Sequence, residues 1–233
     1  MQVGPLCPRG GGGRFAPDAV GPRKGPHVDS NFLQFFLISR CAMPEISARI
    51  DYEPRAWARA VHEGIASHRF SVVVAHRGSG KTYLTAHSLV AEALSCKEPD
   101  GRFLFISPFL KQARDTAWIY LKSATRDVPQ VQYQESLLQV RLPNGAWICL
   151  YGADDPDALR GMHPHGIVVD EVKDMKPEVW TEIILPMLHA HNAWVVFIGT
   201  AKGLNLLSKI YFEALKSSVF CSSTSVTPEK NCS

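Results

Sequence analysis

Apolar positions follow two rhythms through the middle of the chain. Short, near-continuous apolar runs occupy residues 70–75, 102–107, 166–169 and 194–199, the second closed by Pro108. Runs without alternation point to strands buried on both faces. Between them, residues 81–94 place Leu84, Leu89, Val90 and Leu94 near helical spacing. Residues 110–124 and 177–188 read as two further helices, and Pro177 suits a first turn because its missing N–H is not needed there. Residues 131–133, 138–142 and 147–151 read as shorter strands, the last two joined by the turn Pro143-Asn144-Gly145. Buried strands alternating with helices predict an α/β fold, a mostly parallel sheet flanked by helices.

The ends break this rhythm. Residues 1–42 hold the run Gly10-Gly11-Gly12-Gly13 and the prolines Pro5, Pro8, Pro17, Pro22 and Pro26. Such a stretch buries little apolar surface and is expected to be disordered or a non-native extension, with Met43 as the natural start. Residues 217–233, rich in Ser and Thr with Pro228, read as a disordered tail. The expected globular core is therefore 43–216.

Composition changes this picture little. A chain of 233 residues, 45% hydrophobic and 20% charged, suits one sizeable core. A net charge of +3 with scattered basic residues gives no concentrated nucleic-acid face. None of the six cysteines forms a C-x-x-C pair or takes zinc-ligand spacing with a histidine, so free thiols are expected. No apolar run is long enough for a membrane helix, and the stretch 32–38 begins too far from Met1 for a signal peptide.

The candidate chemistry lies at strand ends. Ala75-His76-Arg77-Gly78-Ser79-Gly80-Lys81-Thr82 follows a strand and opens a helix, matching G-x-x-x-x-G-K-[ST] except for Ala75 at the first position. Gly78 and Gly80 let the backbone turn tightly so that N–H groups point into one concavity, and the helix adds the positive end of its dipole. Lys81 suits the β- and γ-phosphates, and the Thr82 hydroxyl suits Mg²⁺. Ile167-Val168-Val169-Asp170-Glu171 ends a strand in two acids. Asp170 is expected to hold Mg²⁺ and Glu171 to act as general base toward the attacking water. Phe197-Ile198-Gly199-Thr200 ends the next strand, where the Thr200 hydroxyl can sense the γ-phosphate.

The combination resembles the N-terminal ATPase domain of tailed-phage terminase large subunits. It rests on Tyr52-Glu53-Pro54-Arg55-Ala56-Trp57, the loop 75–82, Gly152-Ala153-Asp154-Asp155-Pro156-Asp157-Ala158-Leu159-Arg160-Gly161, Val169-Asp170-Glu171 and Gly199-Thr200-Ala201-Lys202-Gly203. The resemblance implies a P-loop NTPase core of the additional-catalytic-glutamate type that hydrolyses ATP with Mg²⁺. It implies Lys81 and Thr82 as the Walker A pair, Asp170 and Glu171 as the Walker B acid and catalytic carboxylate, and Arg77 as an arginine finger. Thr200 would lie in the coupling motif, where Ala201 replaces the usual proline, and Tyr52 and Arg55 in the adenine-binding region, where Ala58 replaces the usual glutamine.

The implied partners are double-stranded DNA, a portal ring, a small terminase subunit and further copies of the chain in a ring, in the cytoplasm of a bacterial host and away from membranes. Lys111, Arg114, Lys122 and Arg126 lie around one predicted helix and are candidates for phosphate contact. Family members continue into an RNase H-like nuclease domain. No acidic cluster of that kind is legible here, so DNA cleavage is not expected of this chain. Two other readings stay open: a helicase-like P-loop NTPase, and a truncated prophage remnant without turnover.

Overall fold

The computed structural model describes residues 52–216 in full and, beyond them, the backbone of Gln34–Phe35 (β1), Ala48–Arg49 (β2) and Phe220–Cys221 (β10). Apart from those short strands, the expectations for residues 1–42 and 217–233 fall outside the described residues. The remaining elements are α1 (Ala56–Ser67), β3 (Phe70–Val74), α2 (Lys81–Leu94), β4 (Arg102–Ser107), α3 (Leu110–Asp115), α4 (Ala117–Ala124), β5 (Gln132–Gln134), β6 (Gln139–Arg141), β7 (Trp147–Gly152), β8 (Pro164–Val169), α5 (Leu185–His191), β9 (Trp194–Gly199) and α6 (Leu206–Lys216).

An eight-stranded sheet runs in the order β10-β3-β9-β8-β4-β7-β6-β5. Every pairing from β10 to β7 is parallel, and β6 and β5 add an antiparallel edge. The expected mostly parallel α/β architecture is observed. One face packs Val73, Phe105, Val168 and Ile198 against α1, α2 and α4. The other packs Val72, Ile106, Val169 and Phe197 against α5 and α6. Strands covered on both faces are why the apolar runs show no alternation.

Two predicted helices differ in detail. The stretch 110–124 is broken at Thr116, whose φ of −126° and ψ of −71° leave the helical region. The Thr116 hydroxyl donates back to the Gln112 carbonyl at 2.7 Å, the local competition with helix propagation that threonine offers. The stretch 177–188 becomes a π-helical turn, Val179–Ile184, followed by α5. Pro186 has no N–H to give, and the Leu185 N–H reaches back to Trp180 instead, widening the turn.

The predicted turn at Pro143-Asn144-Gly145 forms, with Gly145 at φ +89°. It also does something periodicity does not reveal. Asn144 Nδ2 donates to the carbonyls of Ala93, Leu94 and Cys96 at 2.8, 3.2 and 3.1 Å, closing the exit of α2. With its far end fixed, α2 presents its N-terminus to the carboxyl ends of β3, β9 and β8.

Candidate active site

Parallel strands bring their carboxyl ends to one rim. Val74 pairs with Gly199, Phe197 with Val169, and Val169 with Ile106. The segments that follow β3, β9, β8 and β4 are therefore neighbours, although the sequence spreads them over more than half the chain.

The phosphate loop turns through Gly78 and Gly80 at φ +79° and +88°, and Gly80 caps α2 from the left-handed region. A side chain there would be strained whatever the space, which is why the motif places glycine at both. Among the described residues, nothing accepts from the N–H groups of Gly78, Gly80, Lys81 or Thr82. Donors gathered at a helix start with no acceptor are what an anionic phosphate requires. Ala75 is buried and its N–H donates to the Gly199 carbonyl at 3.2 Å, so a small residue serves at the variant first position. Ser79 is buried, with its hydroxyl unpartnered.

Lys81 is 6% exposed. Its Nζ donates to the carbonyls of Ala75 and His76 at 3.1 and 2.9 Å and to Thr200 Oγ1 at 3.3 Å. Burial lowers its pKa, against the opposing charges of Glu171 and Asp170. Thr82 Oγ1 donates to Asp170 Oδ2 at 3.3 Å. Asp170 is 1% exposed, and its Oδ1 has no partner. Burial, reinforced by the charge of Glu171, pushes its carboxyl up to about 6.

A hydroxyl and a buried, half-satisfied carboxylate side by side fit a Mg²⁺ ion whose remaining ligands are phosphate oxygens and water. Among the described residues no group of three or more His, Cys, Asp or Glu is placed to hold a metal without such help. Asp154, Asp155 and Asp157 do not converge. Asp154 Oδ1 accepts from Leu110 N, Asp155 Oδ1 from Ala158 N, and Asp157 pairs with Arg160 at 2.9 Å.

Glu171 follows in a left-handed conformation, φ +46° and ψ +47°. Its carboxylate is gripped by Lys173 Nζ, which also lies 3.5 Å from Asp174 Oδ2. Burial opposes the charge of Lys173, but Glu171 and Asp174 outweigh it and hold the ammonium pKa up. Lys173 was not singled out from the sequence. Its signal is only a basic residue two positions past an acid in a tight turn.

The other candidates are placed less decisively. His76 and Arg77 are exposed on the loop; the His76 ring bonds the Arg77 carbonyl at 2.7 Å, and the Arg77 side chain makes no hydrogen bond or ion pair among the described residues. Arg55 is exposed just before α1. Tyr52 is buried on the flank of α2, stacked on His87 with ring centroids 4.3 Å apart, its hydroxyl 3.0 Å from His62 Nε2. Among the described residues, neither the Tyr52 nor the Arg55 side chain hydrogen-bonds to the phosphate loop. Of the basic set, Lys111 and Arg114 sit exposed on α3 and Arg126 is exposed beyond α4, whereas Lys122 is held by Glu135 at 2.5 Å and lies over the Trp118 ring. No described helix is long and apolar enough to cross a membrane.

Known proteins share this fold. A family model described as "Phage terminase large subunit" matches residues 67–225. The curated "Terminase, large subunit" of Thermus phage G20c is 27% identical over 175 residues, 67% of this chain and 35% of that protein, and that of Thermus virus P23-45 matches to the same extent. The chain thus spans about a third of the length of these relatives. Among solved structures, the Thermus phage P74-26 large terminase ATPase domain aligns with a TM-score of 0.64 at 22% identity, over 76% of this chain and 82% of that one. The HK97 bacteriophage large terminase aligns with a TM-score of 0.65 at 15% identity, over 85% of this chain and 43% of that one. At these identities the solved structures establish the shared fold.

Proposed function

The chain belongs to the phage terminase large-subunit family, and from that premise we propose that it is an ATP-hydrolysing motor domain that drives double-stranded DNA. The observation that carries the reading is the convergence of Lys81, Thr82, Asp170 and Thr200 through direct hydrogen bonds from three strand ends. A large terminase of a thermophilic bacteriophage, of the same fold, has been solved with ADP and with ATP-gamma-S.

The residues divide the work as follows. The free N–H groups of Gly78, Gly80, Lys81 and Thr82 cradle the β- and γ-phosphates, and Lys81 neutralises them. Thr82 and Asp170 would hold Mg²⁺, which would supply neutralising charge to the phosphates. Glu171 takes the proton of the attacking water once Lys173 releases it, because a carboxylate engaged by an ammonium is a poor base. Arg77, exposed and unpaired on the loop, is free to swing toward charge developing on the γ-phosphate. Thr200 touches Lys81 directly, so loss of the γ-phosphate would alter a contact just past the end of β9, in the segment that leads to α6.

The partners proposed with this reading are duplex DNA, a portal ring, a small terminase subunit and further copies in a ring. DNA contact would fall to Lys111, Arg114 and Arg126, since Lys122 is held by Glu135. Steady-state phosphate release from the purified protein, with and without duplex DNA, tests the proposal. Stimulation by duplex supports it. Absence of turnover under both conditions marks a remnant, and strand unwinding marks a helicase-like enzyme.

A further inference from the structure

Among the described residues, four buried side-chain atoms lack a hydrogen-bond partner: Ser71 Oγ, Ser79 Oγ, Ser107 Oγ and Asp170 Oδ1. Three of them lie at the carboxyl rim of the sheet. Ser79 belongs to the phosphate loop and Asp170 to the cation site, which leaves Ser107 without an assigned purpose. Ser107 is the last residue of β4 and is 0% exposed.

Register and alternation place its side chain. β4 and β8 run parallel with Ile106 opposite Val169, and the Asp170 N–H donates to the Ile106 carbonyl at 2.8 Å. Ser107 is therefore beside Asp170. Phe105 and Val168 both pack on the face covered by α2, whereas Ile106 and Val169 pack on the opposite face. Two residues further along each strand, Ser107 and Asp170 return to the α2 face. Asp170 uses Oδ2 to meet Thr82 there, which leaves Oδ1 as the oxygen with no partner. The nearby α3 entrance offers no exchange, because the Leu110 N–H is already given to Asp154 Oδ1 at 3.2 Å.

We propose that Ser107 is a positioning residue for the divalent cation: its hydroxyl and Asp170 Oδ1 together orient a water in the cation's shell. The proposal rests on the reading of Thr82 and Asp170 as the cation site. A buried hydroxyl and a buried carboxylate oxygen left unmade in the free protein lower its stability. A water bound to a cation gives both groups a partner at once. Groups outside the direct ligand set that orient it commonly change metal affinity by roughly 10- to 100-fold.

The test is Mn²⁺ binding to the protein with ADP, read by electron paramagnetic resonance, alongside the melting temperature without nucleotide or metal. Ser107→Ala is expected to weaken Mn²⁺ binding about tenfold without lowering that melting temperature. Ser107→Thr, which keeps the hydroxyl, is expected to restore the affinity, and Ser107→Cys repeats the loss with almost unchanged volume. Unchanged affinity in Ser107→Ala and Ser107→Cys overturns the proposal. So does a drop in melting temperature with affinity intact, which makes Ser107 a packing residue. Asp170→Asn is the control for the underlying reading: it should abolish Mn²⁺–ADP binding, and if it does not, the cation site itself is misassigned whatever Ser107 does.

Discussion

Helix α2 serves two buried polar clusters. At its N-terminus Lys81 bonds Thr200 and Thr82 bonds Asp170, with the unpartnered Ser79 and Ser107 on the same rim. Along its flank His87 and Ser88 meet Tyr52 and His62. The flank cluster is closed: His62 Nε2 contacts the Tyr52 hydroxyl at 3.0 Å, His62 Nδ1 contacts Ser88 Oγ at 2.9 Å, and His87 Nδ1 contacts the Tyr83 carbonyl at 2.8 Å. The rim cluster is open, with three atoms unpartnered and a carboxyl lifted to about 6. Both are mostly buried, but the rim includes Lys81 and Asp170 where the flank has two histidines and a tyrosine. The flank resembles ordinary core, where every buried polar group finds a partner. The rim keeps groups unsatisfied, at a cost in stability, for a ligand that arrives later.

Changing the rim should therefore cost function while sparing the fold. The largest effect is expected of Lys81→Ala, which should reduce ATP turnover by about 10³-fold or more in a phosphate-release assay, because among the described residues no other buried cation serves the loop. The melting temperature without nucleotide should not fall. Glu171→Gln comes next, with hydrolysis down about 10²-fold and nucleotide affinity retained by calorimetry. Loss of binding together with turnover would make Glu171 structural and erase the functional half of the contrast.

Asp170→Asn separates stability from function. The folded carboxyl at about 6 lies above its ordinary 3.8, so its ionisation opposes folding. The stability it contributes is whole below pH 3.8 and lost as pH rises through 6. In EDTA at pH 7 to 8 the variant should be more stable by on the order of 2 kcal/mol in denaturant unfolding, with the gain gone near pH 4. A less stable variant at pH 7 would contradict the strained-rim picture.

The flank should respond to pH in the opposite sense. Burial, then the neighbouring His87, lowers His62 from 6.5 to about 4. The neutral ring is the folded form, so this group costs nothing above pH 6.5 and destabilises as pH falls toward 4. His62→Gln, which does not titrate, should flatten the acid side of the stability profile by about 1–2 kcal/mol between pH 6.5 and about pH 5, the part of the shift expressed before stronger acid is reached. An acid slope identical to that of the parent would show that His62 is not the sensor.

How much of this was legible in the sequence depends on how local each cause is. The strands at 70–74, 102–107 and 194–199 were readable because burial on both faces leaves an unbroken apolar run. Helices α1 and α6 were not assigned. The inward residues of α1 are Ala58, Val61, Gly64 and Ile65, two of them too small to register as hydrophobic. A local signal did exist for α6, in Asn205, whose Oδ1 accepts from the Ser208 N–H at 3.2 Å as a helix cap.

The sequence by itself determined the phosphate loop, the acid pair at the end of an apolar strand, and the hydroxyl at the end of the next. Each is a local requirement: glycine where φ is positive, apolar residues where both sheet faces are covered, a polar group where a strand reaches its rim. Only the tertiary structure decided which of these groups touch. The contact of Lys81 with Thr200, the hold of Lys173 on Glu171 and the place of Ser107 beside Asp170 depend on strand order and register. Those are fixed by how helices cover the two faces of the sheet, a cooperative packing outcome to which every element contributes and that no single motif encodes.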